Sequence, residues 1–378
     1  MSSLSPPVYW IDSQQQFIEA IDRWHSSPFL AIDTEFERRT TYFPILALLQ
    51  IYDGDAVYLI DPLAVECTDS FRQLCADESK VKILHSAKED IEVLFHSWHC
   101  PIKNLFDTQV AYAFTQGTIS IGYAAIVNEL CQQEVSKEET QSDWLKRPLT
   151  QDQQAYAAND VIFLPKLYQI LSKQITEQPF SDWFVAECQE LCELIEQQLL
   201  DDEDYRQAKE VWRLNGTQLA LFKLLYNWRE TTAIKENRTK NHIAKDPQLV
   251  QLAIVMPKNK NDFYKIQGLH PKSVRLYGEA ILQIVNSFLQ KDGQTQSIVP
   301  NPRNIEHFNQ LSSALANVVE QFAKRHQIAT PVLASKRMIR KLTFAFLAKE
   351  KLPSGWTGWR ASVLMPLFQP VLAEFQLA

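Results

Sequence analysis

The sequence predicts an α/β domain, a mixed sheet flanked by helices, followed by two all-helical modules. Three observations predict it. Short β-branched runs alternate with helical patterns over residues 1–100, and from about Asp107 onward the apolar spacing is almost wholly helical. A stretch rich in Pro, Gly and polar residues then interrupts the helical part near its end.

The strand candidates, in order, are the runs VYWI, FLAIDTEF, ILALLQIY, AVYLID and VKILHS. Asp53-Gly54-Asp55 separates two of them by the length of a hairpin loop. Ser13 with Gln16, and Ser86 with Glu89, have the spacing of capping boxes that open helices. Thr150 and Gln153 form another, starting a long helix through Tyr156, Asp160 and Leu171 that Pro165 should kink. The acidic run Asp201 to Asp204 marks a boundary, and a helical region from Lys209 to Val285 holds only Gly268 and Gly278 after Gly216. DGQTQSIVPNPR, from Asp292 to Arg303, reads as a linker into a last helical module. The expected domains are therefore 1–204, 209–291 and 304–378.

With 378 residues, 46% of them apolar, the chain can bury two or three cores, which excludes a disordered protein. Membrane spanning is not expected. None of the nine glycines falls into G-x-G-x-x-G or G-x-x-x-x-G-K-[ST], so neither phosphate-cradling loop can be drawn. Cysteines at 67, 75, 100, 131, 188 and 192 form no C-x-x-C pair, and the start MSSLSPPVYW lacks the blocks of a signal peptide. Reduced thiols and a cytoplasmic location are the expectation.

The net charge of −7 conceals a division. Up to Asp204 there are 13 basic and 34 acidic residues, giving −21; beyond it 25 and 11, giving +14. A basic half attracts polyanions, while the acidic half has carboxylates available for metal ions.

In FLAIDTEF, Asp33 and Glu35 lie two apart in a strand, which puts both carboxylates on one face. Two acids so placed repel unless a cation neutralises them, so the pair is a candidate hard-metal site or else a solvated acidic edge. Asp90, in HSAKEDIEVLF, falls in the first turn of a helix that leaves the strand VKILH. Tyr156 and Asp160 are four apart, hence neighbours on one helical face.

The order and spacing of Asp33, Glu35, Asp90, Tyr156 and Asp160 are similar to the three motifs of the DEDD 3′–5′ exonucleases in their tyrosine-bearing subclass. The chain resembles the ribonuclease D family from end to end. The likeness runs through DTEFERRTTYFPILALLQIYDG, LHSAKEDIEVL, FDTQVAYAF and SDWLKRPLTQDQQAYAANDVIFL. KIQGLHPKSVRLYGEAIL resembles the helicase-and-ribonuclease-D C-terminal (HRDC) domain, and GWTGWRASVLMPLF a second, diverged HRDC-like module. The resemblance implies a ribonuclease H-like mixed sheet followed by two HRDC-type domains. It also implies hydrolysis assisted by two divalent ions, Mg2+ or Mn2+, suited to an all-carboxylate set.

In the family's pattern Asp33 bridges both ions, Glu35 and Asp160 hold the one carrying the nucleophilic water, and Asp90 acts on the second through water. Tyr156 orients that nucleophile or helps deprotonate it; because phenols titrate near ~10, hydrogen bonding is the expected role.

Arg38, Arg39, Lys146 and Arg147 flank the motifs as phosphate-binding candidates or as solvated loop residues. Trp144, Phe36 and Phe43 are candidates for stacking on the terminal base or for the core. His85 is expected to cap or pack, and His96 with His99 lacks further zinc ligands. In the basic half, Arg229, Lys235, Arg238, Lys240, Lys258, Lys260 and Lys265 interleave with Tyr226, Trp228, Phe263 and Tyr264, and Lys324, Arg325, Lys336, Arg337, Arg340 and Lys341 follow later. Such a pattern suits the phosphates and bases of a strand, or the solvated face of a bundle. The expected function is a monomeric, metal-dependent 3′ exoribonuclease acting on RNA, with precursor tRNA tails the implied substrate. A DNA exonuclease of the same chemistry and an inactive RNA-binding scaffold are the alternatives.

Overall fold

The computed structural model describes residues 6–118, 120–135, 142–196, 204–291, 294–301, 304–353 and 355–376. The described residues fall into two compact units, the first drawn from Met1–Glu37, Pro44–Gln198 and His307–Ala378, the second from Arg38–Phe43 and Leu199–Glu306. Among them no helix is long and apolar enough to cross a membrane.

The first unit opens with β1 (Val8–Ile11), α1 (Gln14–Trp24), β2 (Phe29–Glu37), β3 (Ile45–Tyr52) and β4 (Val57–Ile60). It continues through α2 (Asp69–Ala76), β5 (Val81–Leu84), α3 (Lys88–Trp98), β6 (Leu105–Asp107), α4 (Thr108–Thr115) and α5 (Tyr123–Cys131). Helices α6 (Gln151–Ile162), α7 (Leu164–Thr176) and α8 (Ser181–Glu196) complete this stretch. The sheet order is β1-β4-β3-β2-β5-β6; β2–β3 and β3–β4 are antiparallel and the other pairs parallel. The mixed sheet flanked by helices is thus the one the strand runs predict.

Local chemistry accounts for most of the boundaries. In the Asp53-Gly54-Asp55 turn, Asp53 Oδ1 accepts the N–H groups of Asp55 and Ala56 at 2.9 and 2.8 Å, while Gly54 takes φ +104°, where a side chain would be strained. Thr150 and Gln153 form a complete capping box on α6. The expected kinked helix is instead two helices, α6 and α7. Pro165 has no N–H to offer the preceding turn and would clash with it, so the chain breaks at Phe163 and places the proline in the first turn of α7, where no N–H is needed. The capping box expected at Ser86 does not form: Ser86 lies at φ +60° and the N-cap is Ala87, whose side chain bonds nothing.

Phe17 and Trp24 of α1, Phe71 of α2 and Trp98 of α3 make one aromatic cluster with centroids 5.4–6.1 Å apart. Burying side chains of this size contributes about 1.5–3 kcal/mol each. Helix α6 packs across β2, β3 and β4, which brings the third sequence motif onto the strand that carries the first.

The second unit contains α9 (Gly216–Lys235), α10 (Lys240–Ile243), α11 (Asp246–Val255) and α12 (Pro271–Leu289). The segment Arg38–Phe43 belongs to it: the backbone N–H groups of Tyr42 and Phe43 donate to Asn237 Oδ1 at 3.1 and 3.0 Å. Arg229 is buried, and its guanidinium binds Glu230 at 3.0 Å, Asp246 at 2.6 Å and the Ala244 carbonyl, so it organises the bundle rather than facing a nucleic acid. Asp201, Asp202 and Glu203 of the expected boundary lie outside the described residues. So do Asp292, Gly293, Pro302 and Arg303 of the expected linker, and residues 294–301 between them have no regular structure.

Helices α13 (Phe308–His326), α14 (Thr330–Leu333), α15 (Lys336–Leu347) and α16 (Gly358–Gln376) return to the first unit. Trp359 stacks on Trp183 of α8 at 5.7 Å and 12°, and its indole N–H donates to Glu187. Arg360, nearly buried, bonds Glu187, Glu190 and the Val332 carbonyl. The Ala329 N–H donates to the Ala113 carbonyl of α4 at 2.8 Å. The last helical module is therefore built into the core of the first unit.

Candidate active site

Strand alternation in β2 turns Asp33 and Glu35 to one face, and α6, laid across that strand, contributes Tyr156 and Asp160 from successive turns. Carboxylate oxygens of Asp33, Glu35 and Asp160 all lie within 4.8 Å of one another. With His85, Tyr123 and Tyr156 they line a cleft of about 200 Å³. Asp90, in the first turn of α3, does not line the cleft; it is buried beside it and accepts the Thr34 hydroxyl on Oδ1 at 2.5 Å.

The electrostatics follow from crowding acids away from water. Burial first, then the charges of Asp90, Asp160 and Glu35, hold Asp33 well above the usual carboxylate range. Glu35 is pushed up to about 9 by burial and by Asp160 and Asp90. Asp90 and Asp160 each rise to about 7 through burial, moderated by the Thr34 hydroxyl at Asp90 and by a hydrogen bond from Tyr156 at Asp160. Such a cluster ionises when a cation enters it. The donors are carboxylates alone, with no thiol or imidazole among them, which suits a hard divalent ion.

The first motif pair, Tyr156 and Asp160 thus converge as the family resemblance implies, with Asp90 against Thr34 between the pair. The flanking candidates are placed differently. Arg147 gives its guanidinium to Asp61, in two bonds of 2.7 Å, and to the Ala47 and Trp144 carbonyls, so it fastens the approach to α6 and its donors are engaged within the fold. Trp144 is buried with its ring 6.0 Å from that of Tyr156, a packing position closed to a base. Lys146 is exposed, as are Arg38 and Arg39, which fall in the second unit.

Two further residues, Tyr123 and His85, complete the cleft wall. The Tyr123 hydroxyl donates to the Asn159 carbonyl at 2.8 Å, tying α5 to the end of α6 beside Asp160. His85 packs, as expected, but in the cleft: Nε2 donates to the Ile121 carbonyl at 3.0 Å, Nδ1 meets the Thr108 hydroxyl at 2.9 Å, and burial holds its pKa below the ordinary value. A lone tyrosine and a lone histidine carry no spacing signal by which a sequence reading could have placed them.

Comparison with known proteins agrees with this geometry. A 3′–5′ exonuclease family model matches residues 8–176, and an HRDC domain model matches residues 218–285. The chain is 34% identical to ribonuclease D of Pseudomonas paraeruginosa (strain DSM 24068 / PA7) over 364 residues, covering 94% of this chain and 95% of that one. The chain belongs to the ribonuclease D family. It is 31% identical to ribonuclease D of Escherichia coli (strain K12) over 357 residues, 92% of this chain and 94% of the relative. The crystal structure of Escherichia coli RNase D, described as an exoribonuclease involved in structured RNA processing, superposes with a TM-score of 0.87 at 27% identity, covering 96% of this chain and 98% of that one. The catalytic core of RRP6 from Trypanosoma brucei shares the fold, with a TM-score of 0.59, 22% identity and coverage of 78% and 82%. With the family comes its reaction, 3′–5′ exonucleolytic hydrolysis of RNA, in an exonuclease class that uses divalent metal ions.

Proposed function

We propose that this chain removes nucleotides from the 3′ tails of precursor tRNA in the cytoplasm, acting as a monomer with two divalent ions, Mg2+ or Mn2+. The observation that carries the reading is the meeting of Asp33, Glu35 and Asp160 within 4.8 Å, with Tyr156 one turn from Asp160. Asp33, Glu35, Asp90 and Asp160 would hold the ions. When bound, they supply the Lewis acidity that makes water nucleophilic near neutral pH and stabilises the departing 3′ oxygen.

The chain's own groups do the rest. The Tyr156 hydroxyl, bonded to Asp160, orients the attacking water by hydrogen bonding. Tyr123 and His85 fix the cleft wall through carbonyl bonds, so the acids keep their separation between turnovers. In the second unit, Lys258 and Lys260 are exposed and Tyr264 is 90% exposed, a sequence-tolerant platform for the body of an RNA. The substrate class is supported by the structured RNA processing of the Escherichia coli relative and by the +14 half of the chain.

A time course on 3′-labelled and 5′-labelled precursor tRNA, with and without chelator, tests this reading. Loss of the 3′ label first, stopped by chelator and restored by Mg2+ or Mn2+, is expected. Release of the 5′ label first, or chelator-resistant hydrolysis, would overturn it.

A further inference from the structure

Asp107 closes the FDT run at the end of β6, and no part of the reaction as described uses it. The residue is 2% exposed, and its carboxylate accepts four backbone N–H groups. Gln109 and Val110, at 2.8 and 3.2 Å, belong to α4, for which Asp107 is the N-cap. The other two are Ser86 on Oδ1 at 3.0 Å and Ala87 on Oδ2 at 2.8 Å, twenty residues away at the start of α3. One side chain thus caps two helices.

The second of these duties falls where α3 cannot cap itself. Ser86 is held at φ +60°, a left-handed conformation unfavourable for a residue with a side chain, and Ala87 has no oxygen to offer the first turn. The Ser86-Ala87 turn keeps its shape because the Asp107 carboxylate binds both of its N–H groups. Three residues later the same helix presents Asp90, whose Oδ1 then meets the Thr34 hydroxyl. Thr108, next to Asp107, braces the same turn: its hydroxyl lies 3.1 Å from the Leu84 carbonyl and 2.9 Å from His85 Nδ1.

We infer that Asp107 is a positioning residue for phosphodiester hydrolysis: by clamping the strained Ser86-Ala87 turn it sets the start of α3, and with it the place of Asp90 beside Asp33 and Glu35. It touches no reacting atom. The inference rests on the reading of the four acids as the metal-holding set, and its test separates the two.

Asp107→Ser divides the two duties. Serine is a good N-cap for α4 but is too short to reach the Ser86-Ala87 turn. The full-length variant is expected to fold, to bind RNA with KM within about twofold of wild type, and to lose ~10- to 100-fold in kcat, the scale on which small misplacements of a reacting group are felt. Calorimetric titration with Mn2+ alone, without RNA, should show weakened binding. Asp107→Asn, which keeps one acceptor oxygen, should fall between it and wild type in both measurements. Thr68→Ala removes the cap of α2, whose hydroxyl accepts the Phe71 N–H at 3.1 Å, and should cost stability with no change in kcat or Mn2+ binding.

If Asp107→Ser keeps kcat and Mn2+ binding within threefold of the Thr68→Ala values, Asp107 is only a cap and the inference is overturned. Should Asp107→Ser not fold, the same two measurements on Asp107→Asn decide. Asp33→Asn serves as the reference for the metal reading: undiminished Mn2+ binding there would reject the acid cluster as the metal site, independently of what Asp107 does.

Discussion

The Thr34 hydroxyl donates to Asp90 Oδ1 at 2.5 Å, joining the middle residue of the Asp33–Glu35 pair to the acid that arrives on α3. This bond stabilises the carboxylate and draws its pKa down against the burial that raises it to about 7. Thr34→Val keeps the shape and deletes the donor. Asp90 should then hold its proton to higher pH, so the pH dependence of Mn2+ affinity should move alkaline by half a unit or more. A profile superposable on wild type would show that the bond does not govern Asp90.

The acid cluster makes a prediction for stability. Asp33, Glu35, Asp90 and Asp160 all have folded-state pKa values raised above the ordinary carboxylate range, so between about pH 4 and pH 9 the metal-free native state holds protons that the unfolded chain has released. More protons bound in the native state means that stability falls as pH rises through this window. In chelator, Tm should decline from pH 5 to pH 8, and Asp33→Asn, which removes one of the repelling groups, should decline less steeply. Added Mg2+ should raise Tm more at pH 8 than at pH 5. Parallel Tm curves for wild type and Asp33→Asn would contradict the electrostatic account.

Tyr156→Phe keeps the ring against Trp144 and removes only the hydroxyl beside Asp160. Turnover should fall ~10²- to 10⁴-fold, the usual contribution of such assistance, with KM and Tm nearly unchanged. Single-turnover hydrolysis at saturating Mg2+ measures it. A loss of less than about threefold would make Tyr156 a packing residue.

A chain ended after Gln207 tests the seating of the last helices. Trp359 covers Trp183 and lies 6.0 Å from Phe114, and Arg360 neutralises Glu187 and Glu190. Without them an apolar patch and two acids are uncovered, so the shortened protein should melt several degrees lower and bind the dye ANS. An unchanged Tm without dye binding would show that the first unit does not need its C-terminal helices.

What could be read in advance depended on whether the information was local. Asp33 with Glu35, and Tyr156 with Asp160, are legible because strand and helix periodicity fix their shared faces. The Asp53-Gly54-Asp55 turn and the Thr150 cap are legible for the same reason. Asp107, Thr34 and Tyr123 act on partners 20 to 56 residues away, and nothing in their immediate sequence announces it. The Ser86 and Glu89 spacing predicts a local cap where the carboxylate comes from β6. Arg229 and Arg147 look like members of basic stretches, but buried acids, Glu230 and Asp61, claim them. That α13–α16 complete the first unit rests on Trp359 and Arg360 meeting α8, a pairing across more than 160 residues that no window of sequence contains.

Because the first unit is drawn from segments on either side of Leu199–Glu306, it closes only after those residues have been made. The face of α8 around Trp183 emerges from the ribosome well before Trp359 does, and at ordinary elongation rates the interval is roughly 10–30 s. The residues between them, Leu199–Glu306, supply most of a compact unit of their own and can fold during that wait. The RNA-degrading unit is thus completed only once Trp359 and Arg360 are available to α8.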